Sequence, residues 1–294
     1  MRRILKIAKA ELFTLFYSPV AWLILVAFTV QVGLKFTGLM ADFVYREDIG
    51  FGNGFLTANL LGGIFGMYNT VQQYLYLYMP LLTMGLMSRE FSSGSIKLLY
   101  SSPVTSSQIV MGKFLAMMAY GLVLLGTLIL YIGYAACVVD NFAFAEALSG
   151  LLGLYLLLCA YAAIGLFMST LTSYQIIAAL GTLTFISFLN FIGSLWQHIE
   201  GVREVMYWFS LKGRADESIR GLICSEDILY FILVSGMFLG FSVLKLQFAR
   251  RSCSVSVKVG KYVGLVACVA LLGYVSTIPQ LKCFYDATAN KDRT

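Results

Sequence analysis

Charge is scarce in this chain: only 12% of its 294 residues are Asp, Glu, Lys or Arg, against about 25% in ordinary globular domains. That scarcity excludes the solvated surface of a usual water-soluble domain. Histidine is nearly absent. His198 stands alone, so a His-based metal cluster or a His-bearing catalytic triad has at most one member to draw on. Six cysteines are scattered at 137, 159, 224, 253, 268 and 283, none in a CxxC or His-linked metal spacing. No GxxxxGK[ST] loop occurs, so this chain offers no phosphate cradle for ATP, and neither HExxH nor GxSxG is present to support a membrane protease or esterase. A basic soluble stretch interleaved with aromatics is also missing, which argues against nucleic acid as a partner.

What is present is apolar surface. Hydrophobic residues make up 59% of the chain, and they fall in runs of about 20, the length that carries a helix through bilayer hydrocarbon. Backbone groups in lipid must be satisfied within their own segment, so these runs predict an all-α, polytopic transmembrane helical bundle. The expected spans are Val20–Met40, Met67–Met87, Phe114–Val139, Leu148–Leu171, Ile176–Trp196, Ile228–Phe248 and Tyr262–Ile278. Met1 to Glu11 is basic, but the apolar run behind it is too long for a cleavable signal peptide.

Local signals place the joints. Arg2 to Tyr17 carries apolar residues at helical spacing and a cationic face of Arg2, Arg3, Lys6 and Lys9, the profile of a helix in the headgroup plane. Pro19 suits the first turn of the next helix. Lys35 lies near the end of its span and can snorkel outward. The glycine-rich segment Ala41–Gly66 reads as an outer loop with bends and a partly buried re-entrant piece, and Pro80 as a kink in the second span. Thr172 with Gln175, and Thr105 with Gln108, fit capping boxes, and Asp227 is a plausible N-cap. Gly165 and Ser169 have the small-xxx-small spacing that lets helices approach closely. Cys137, Cys159 and Cys268 read as small packing residues, while Cys224 and Cys283 are placed where a disulfide is conceivable. Residues 197–227 hold too few consecutive apolar residues to span, and read as short amphipathic pieces at or dipping into an interface.

Orientation follows from charge. With seven spans and the N-terminus inside, Arg2, Arg3, Lys6, Lys9, Arg89, Lys97, Lys113, Lys245, Arg250, Arg251, Lys258 and Lys261 all collect on the inner side, opposed only by Glu11 and Glu90. Lys and Arg in short loops near span ends favour that arrangement, with the N-terminus cytoplasmic and the C-terminus extracytoplasmic.

The stretch Ser88–Lys113 is the longest inner segment between apolar spans. Residues 90–99 fit a short helix on which Ile96 and Leu99 share a face, with Arg89, Glu90 and Lys97 elsewhere. Pro103 stops it, and Thr105 opens the helix of the next span. A compact knuckle of this kind suits either docking in a partner's groove or a passive interfacial loop.

The same stretch resembles the segment between the second and third spans of type-2 ABC transporter permeases, the ABC-2 family. The matching residues are Glu90, Gly94, Leu98-Leu99, Ser102-Pro103-Val104 and Gly112-Lys113, and the amphipathic helix ending at Tyr17-Ser18-Pro19 matches the family's opening element. The resemblance implies a six-span permease core over residues 1–251, with residues 252–294 adding a basic linker, a seventh span and a polar tail. It implies docking of a separate ABC ATP-binding subunit, which would hold the ATP, on a coupling loop at 88–113. The loop's contributing residues would be Arg89, Glu90, Gly94, Ile96, Leu98, Leu99, Pro103, Gly112 and Lys113. It further implies pairing with a second permease copy, export across a bacterial inner membrane among its lipids, and an outer gate in residues 197–227. Trp196, Tyr207 and Trp208 are then candidates to anchor or line the gate, or are plain interfacial aromatics. No cofactor or metal is expected on this chain. Ser225 to Phe231 is similar to the region before the last core span of gliding-motility-type (GldF-like) permeases, and the seventh span with Asp286–Lys291 is similar to the anchor of an extracytoplasmic GldG-like partner.

Two other readings stand beside this one. An ion-coupled secondary transporter needs paired ionisable groups near the midplane, but only Lys35 and Lys245 fall within the expected spans, each near an end. A non-transporting scaffold that anchors an ATPase or an extracytoplasmic partner fits the extra span.

Overall fold

A computed structural model of the chain describes residues 2–48, 58–63, 66–101, 103–138, 142–192, 210–250, 254–276 and 284–286. The gate candidates Trp196, Tyr207 and Trp208, together with Ser102, His198, Arg251, Cys253 and Cys283, lie outside the described residues. The chain folds as an all-α bundle. In order come α1 (Arg2–Tyr17), α2 (Pro19–Asp48), a single π-helical turn (Ala58–Gly62), α3 (Met67–Thr83), α4 (Gly85–Ser93), α5 (Ile96–Ser101) and α6 (Ser106–Val138). Then follow α7 (Phe144–Leu171), α8 (Gln175–Phe191), α9 (Leu211–Ile219), α10 (Ser225–Arg250) and α11 (Val255–Ser276). Two three-residue strands, β1 (Leu222–Cys224) and β2 (Phe284–Asp286), pair antiparallel and are the small departure from helix.

Among the described residues, five helices are long and apolar enough to cross a membrane: Pro19–Tyr45, Ser106–Val138, Phe144–Leu171, Ser225–Arg250 and Val255–Gly273. Gln175–Phe191 is apolar but shorter. The expected second span divides at Met84 into α3 and α4, four residues beyond Pro80, and Pro80 itself lies inside α3. Met84 keeps helical angles, φ −53° and ψ −37°, and its amide still donates to the Pro80 carbonyl at 3.0 Å, so the backbone stays helical through the joint.

Helix α7 is the hub. Leu154, Leu157, Leu158 and Ala160 through Ile164 are fully buried, and α3, α4, α6, α8, α9 and α10 all pack on it. Glycines admit the neighbours: a Cβ at Gly150 would meet the Tyr68 ring at 2.3 Å, one at Gly153 the Ser218 Cβ at 2.6 Å, and one at Gly165 the Thr83 Oγ1 at 2.0 Å. The Gly165-xxx-Ser169 spacing therefore seats the α3–α4 joint within the chain. By contrast α11 rests on α10, where Leu265 covers Gly240 and Tyr262 meets Phe241 and Phe248, and leaves Val259, Val263, Val266, Leu271 and Leu272 exposed.

Contacts sort the helix ends into two groups. At one end lie α1, α4, α5, the start of α6 and the end of α10, joined by ion pairs and hydrogen bonds. At the other lie the π-helical turn, the start of α7, α9 and the β1–β2 ribbon: Gly62 abuts the Ile219 carbonyl, and Tyr68 donates to the Ala147 carbonyl at 2.7 Å.

Several local expectations are corrected. Helix α2 continues through Ala41 to Asp48, so the outer segment begins later than Ala41. Leu60 and Leu61 are buried, in line with a partly inserted piece. The capping box at Thr105 and Gln108 forms reciprocally, at 3.3 and 3.4 Å. That at Thr172 and Gln175 does not: Thr172 closes α7, and its hydroxyl accepts from the Tyr174 amide instead. Among the cysteines expected to pack, Cys159 is buried, while Cys137 and Cys268 are exposed. Cys224 sits in β1 opposite Phe284.

Candidate coupling site

The knuckle forms, but as two helices. Gly94 adopts φ 73°, a left-handed conformation that favours glycine, and ends α4; α5 restarts at Ile96. The expected single helix over residues 90–99 is therefore split at the one residue able to turn it. The split decides which side chains face out. Ile96 is buried and Leu99 packs against the core, so the apolar face proposed for a partner is turned onto the chain's own bundle. Leu98 is 75% exposed, and Arg89, Lys97 and Pro103 are exposed beside it.

Glu90 is not a free surface carboxylate. Lys113, only 2% exposed at the start of α6, lies 2.7 Å from Glu90 Oε1 and 2.5 Å from Glu11 Oε1. Three helices thus meet on one ammonium: α1 through Glu11, α4 through Glu90 and α6 through Lys113. A buried lysine is costly unless paired, and here two carboxylates compensate it. One negative charge remains in excess. Burial pushes the Glu90 carboxyl above its ordinary value, against the lowering pull of Lys113; Glu11 raises it further and Arg89 lowers it. Beside this cluster Gly112 lets α1 lie directly on α6, since a Cβ there would meet Ile7 Cγ2 at 2.6 Å.

Three further braces were not legible as site residues in the sequence. Arg250, at the end of α10, donates to the Val104 carbonyl at 2.8 Å and to the Leu99 carbonyl at 3.0 Å, and lies 4.9 Å over the Tyr100 ring. Arg3 donates to the Pro103 carbonyl at 2.7 Å. Ser169 on α7 accepts from the Met87 and Ser88 amides at 2.9 and 3.0 Å and donates to the Met84 carbonyl, capping the N-terminus of α4 from another helix. The arginines read in sequence only as inner-side charge, and the small-residue spacing at Gly165 and Ser169 marks a close approach but not that the serine caps a helix 81 residues away.

At the opposite end, α9 is what the structure describes of the gate segment ahead of β1. One face of it is buried in the bundle: Leu211, Ala215 and Ile219 are covered, and Arg214 is 3% exposed. Arg214 donates to Asp227 Oδ1 at 2.7 Å, lies 3.7 Å from Glu226 and stands 4.6 Å over the Tyr230 ring. Asp227 is therefore an ion-pair partner inside the first turn of α10, not its N-cap. Glu146 in the first turn of α7, and Glu226 and Asp227 in the first turn of α10, lie just ahead of the expected spans Leu148–Leu171 and Ile228–Phe248. Ligand atoms of Glu217, Cys224 and Asp227 lie within 4.8 Å of one another, but Arg214 already neutralises Asp227 and its charge opposes a cation.

Such an architecture, apolar helices around one hub with a braced knuckle at the basic end, is that of a polytopic membrane protein. A family model described as ABC-2 family transporter protein matches residues 5–201, and the chain belongs to that family, the membrane permeases of ABC transporters. Among curated proteins, none matches the chain.

Proposed function

We propose that the chain is the permease subunit of an ATP-driven exporter, and that the α4–α5 knuckle receives the movement of a separate ATP-binding subunit. The basic end is then cytoplasmic, in a bacterial inner membrane, and a second permease copy completes the transporter. The observation that carries this reading is the bracing: α4 and α5 are tied to α1, α6, α7 and α10 through Glu90, Arg250 and the amides capped by Ser169. A load on the knuckle is thereby passed to several helices rather than absorbed by a loop. Leu98 and Lys97 are the side chains offered to the partner, while Glu90, Ile96, Leu99, Gly112 and Lys113 hold the knuckle in place. Residues 197–227 form the outer gate, with Trp196, Tyr207 and Trp208 at it, and α9 anchors its far part through Arg214. The weakly packed α11 and the β2 tail fit a GldF-like permease carrying a GldG-like anchor.

Docking is tested with Leu98→Asp, which alters an exposed side chain. Co-purification of the ATP-binding subunit is expected to fall while membrane insertion and the unfolding midpoint stay unchanged. Undiminished co-purification removes the docking role. An ATPase that binds wild type but whose turnover ignores both substrate and permease substitutions marks a scaffold instead.

A further inference from the structure

A crevice of about 90 Å³ opens where the α1–α2 elbow meets the α3–α4 joint and the first turn of α8. Its polar lining is Thr14, Ser18, Arg89 and Gln175; its apolar lining includes Val20 and Leu81. The volume is several times the roughly 10–15 Å³ that a single water requires, so it admits a phosphate-sized group but no lipid body.

The depth of the crevice is set by its surroundings. Tyr17, Trp22 and Tyr174, all exposed, ring the elbow and the α7–α8 turn, and Trp22 donates to the Phe16 carbonyl at 2.7 Å. Amphipathic aromatics of this kind sit at headgroup level. Leu23, Ile176 and Ile177 are exposed just beyond them along α2 and α8, where acyl chains would lie. The polar part of the crevice is therefore at the level of phosphates and its apolar part at the level of hydrocarbon.

Charge names the occupant. Among the described residues, the ion pairs join carboxylates to Lys113 and Arg214, whereas Arg89 is in none of them. Its neighbour Glu90 is engaged by Lys113. A guanidinium beside hydroxyl and amide groups is suited to a phosphate diester.

We propose that this crevice binds an anionic phospholipid. The phosphate rests on Arg89, with Ser18, Thr14 and Gln175 beside it, and an acyl chain leaves over Val20 and Leu81. A lipid held there wedges the elbow against the joint through which the knuckle connects to α3. The site requires only that the protein spans a membrane, not that the knuckle docks on an ATPase.

The test loads detergent-purified protein from phosphatidylcholine vesicles with or without phosphatidylglycerol and counts retained lipid by native mass spectrometry. Wild type is expected to retain phosphatidylglycerol selectively, and Arg89→Gln to lose about fivefold of that preference, the worth of one basic side chain at an anionic surface. Arg89→Lys should keep most of it, and the unfolding midpoint in detergent should show both variants folded. Equal retention by wild type and Arg89→Gln overturns the proposal. Displacement by excess inorganic phosphate overturns it in favour of a free-anion site. Loss of the ATP-binding subunit from Arg89→Gln with lipid selectivity intact assigns the arginine to protein docking and also overturns it. The result for Leu98→Asp bears only on docking, so either proposal can fail alone.

Discussion

Each end of the bundle holds a buried cation against two carboxylates, yet the two clusters do different work. At the basic end Lys113 joins Glu11 and Glu90, gathering α1, α4 and α6. At the other end Arg214 joins Asp227, 13 residues along the chain, and Glu226 beside it, closing α9 onto the first turn of α10. One cluster is a long-range junction and the other a local clasp. A junction fixes several elements at once; a clasp fixes one short helix to the element that follows it in sequence.

The comparison is broken most directly at Lys113. Lys113→Met leaves two carboxylates facing each other and should cost about 3 kcal/mol in unfolding measured in detergent, toward the low side for a broken buried pair because both carboxylates keep some exposure. Adding Glu11→Gln and Glu90→Gln should restore most of it, since a neutral cluster carries no uncompensated charge. A loss well below this size would mean that α1 is held by Ile7 on Gly112 rather than by charge. Arg214→Met should cost a similar amount, about 3 kcal/mol, because Asp227, only 4% exposed, is left uncompensated. Its mark should be local: faster amide hydrogen exchange in Leu211–Ile219 and little change in α1 or α4. Exchange rising equally at both ends would erase the distinction.

The smallest expected effect is a pH slope at the basic end. The folded state holds the Glu90 proton to higher pH than the unfolded chain does, so it binds more protons across that window. Stability should therefore fall as pH rises from the ordinary carboxylate value through the raised one. The difference in unfolding midpoint between wild type and Glu90→Gln measures it, as Gln cannot titrate. Lys113, Glu11 and Arg89 face the same carboxyl, and a slope of opposite sign would show that Lys113 outweighs burial.

Much of the bundle was legible because its signals are local. The amphipathic α1, Pro19 at the opening of α2, the capping box at Thr105 and the spans of α6, α7 and α10 rest on periodicity, length and neighbouring residues. The knuckle was legible in outline only. Ile96 and Leu99 were seen to share a face, but spacing cannot say whether that face meets a partner or the chain itself. The spacing reads as one short helix over residues 90–99, straight through Gly94, whose left-handed turn swings Leu98 outward only once the backbone is built. The gate candidates Trp196, Tyr207 and Trp208 lie outside the described residues, and α9, β1 and the first turn of α10 represent that segment.

Composition and run length by themselves determined that this chain lives in a membrane as helices, because hydrocarbon leaves the backbone no other way to satisfy its polar groups over such runs. Tertiary structure alone decided which charges meet: Glu11 and Lys113 are 102 residues apart, and Arg250 reaches Leu99 across 151. Sequence fixes the periods of single helices. Which helix faces which depends on glycines such as 112, 153 and 165 letting particular neighbours approach, a property of pairs of surfaces that no one segment carries.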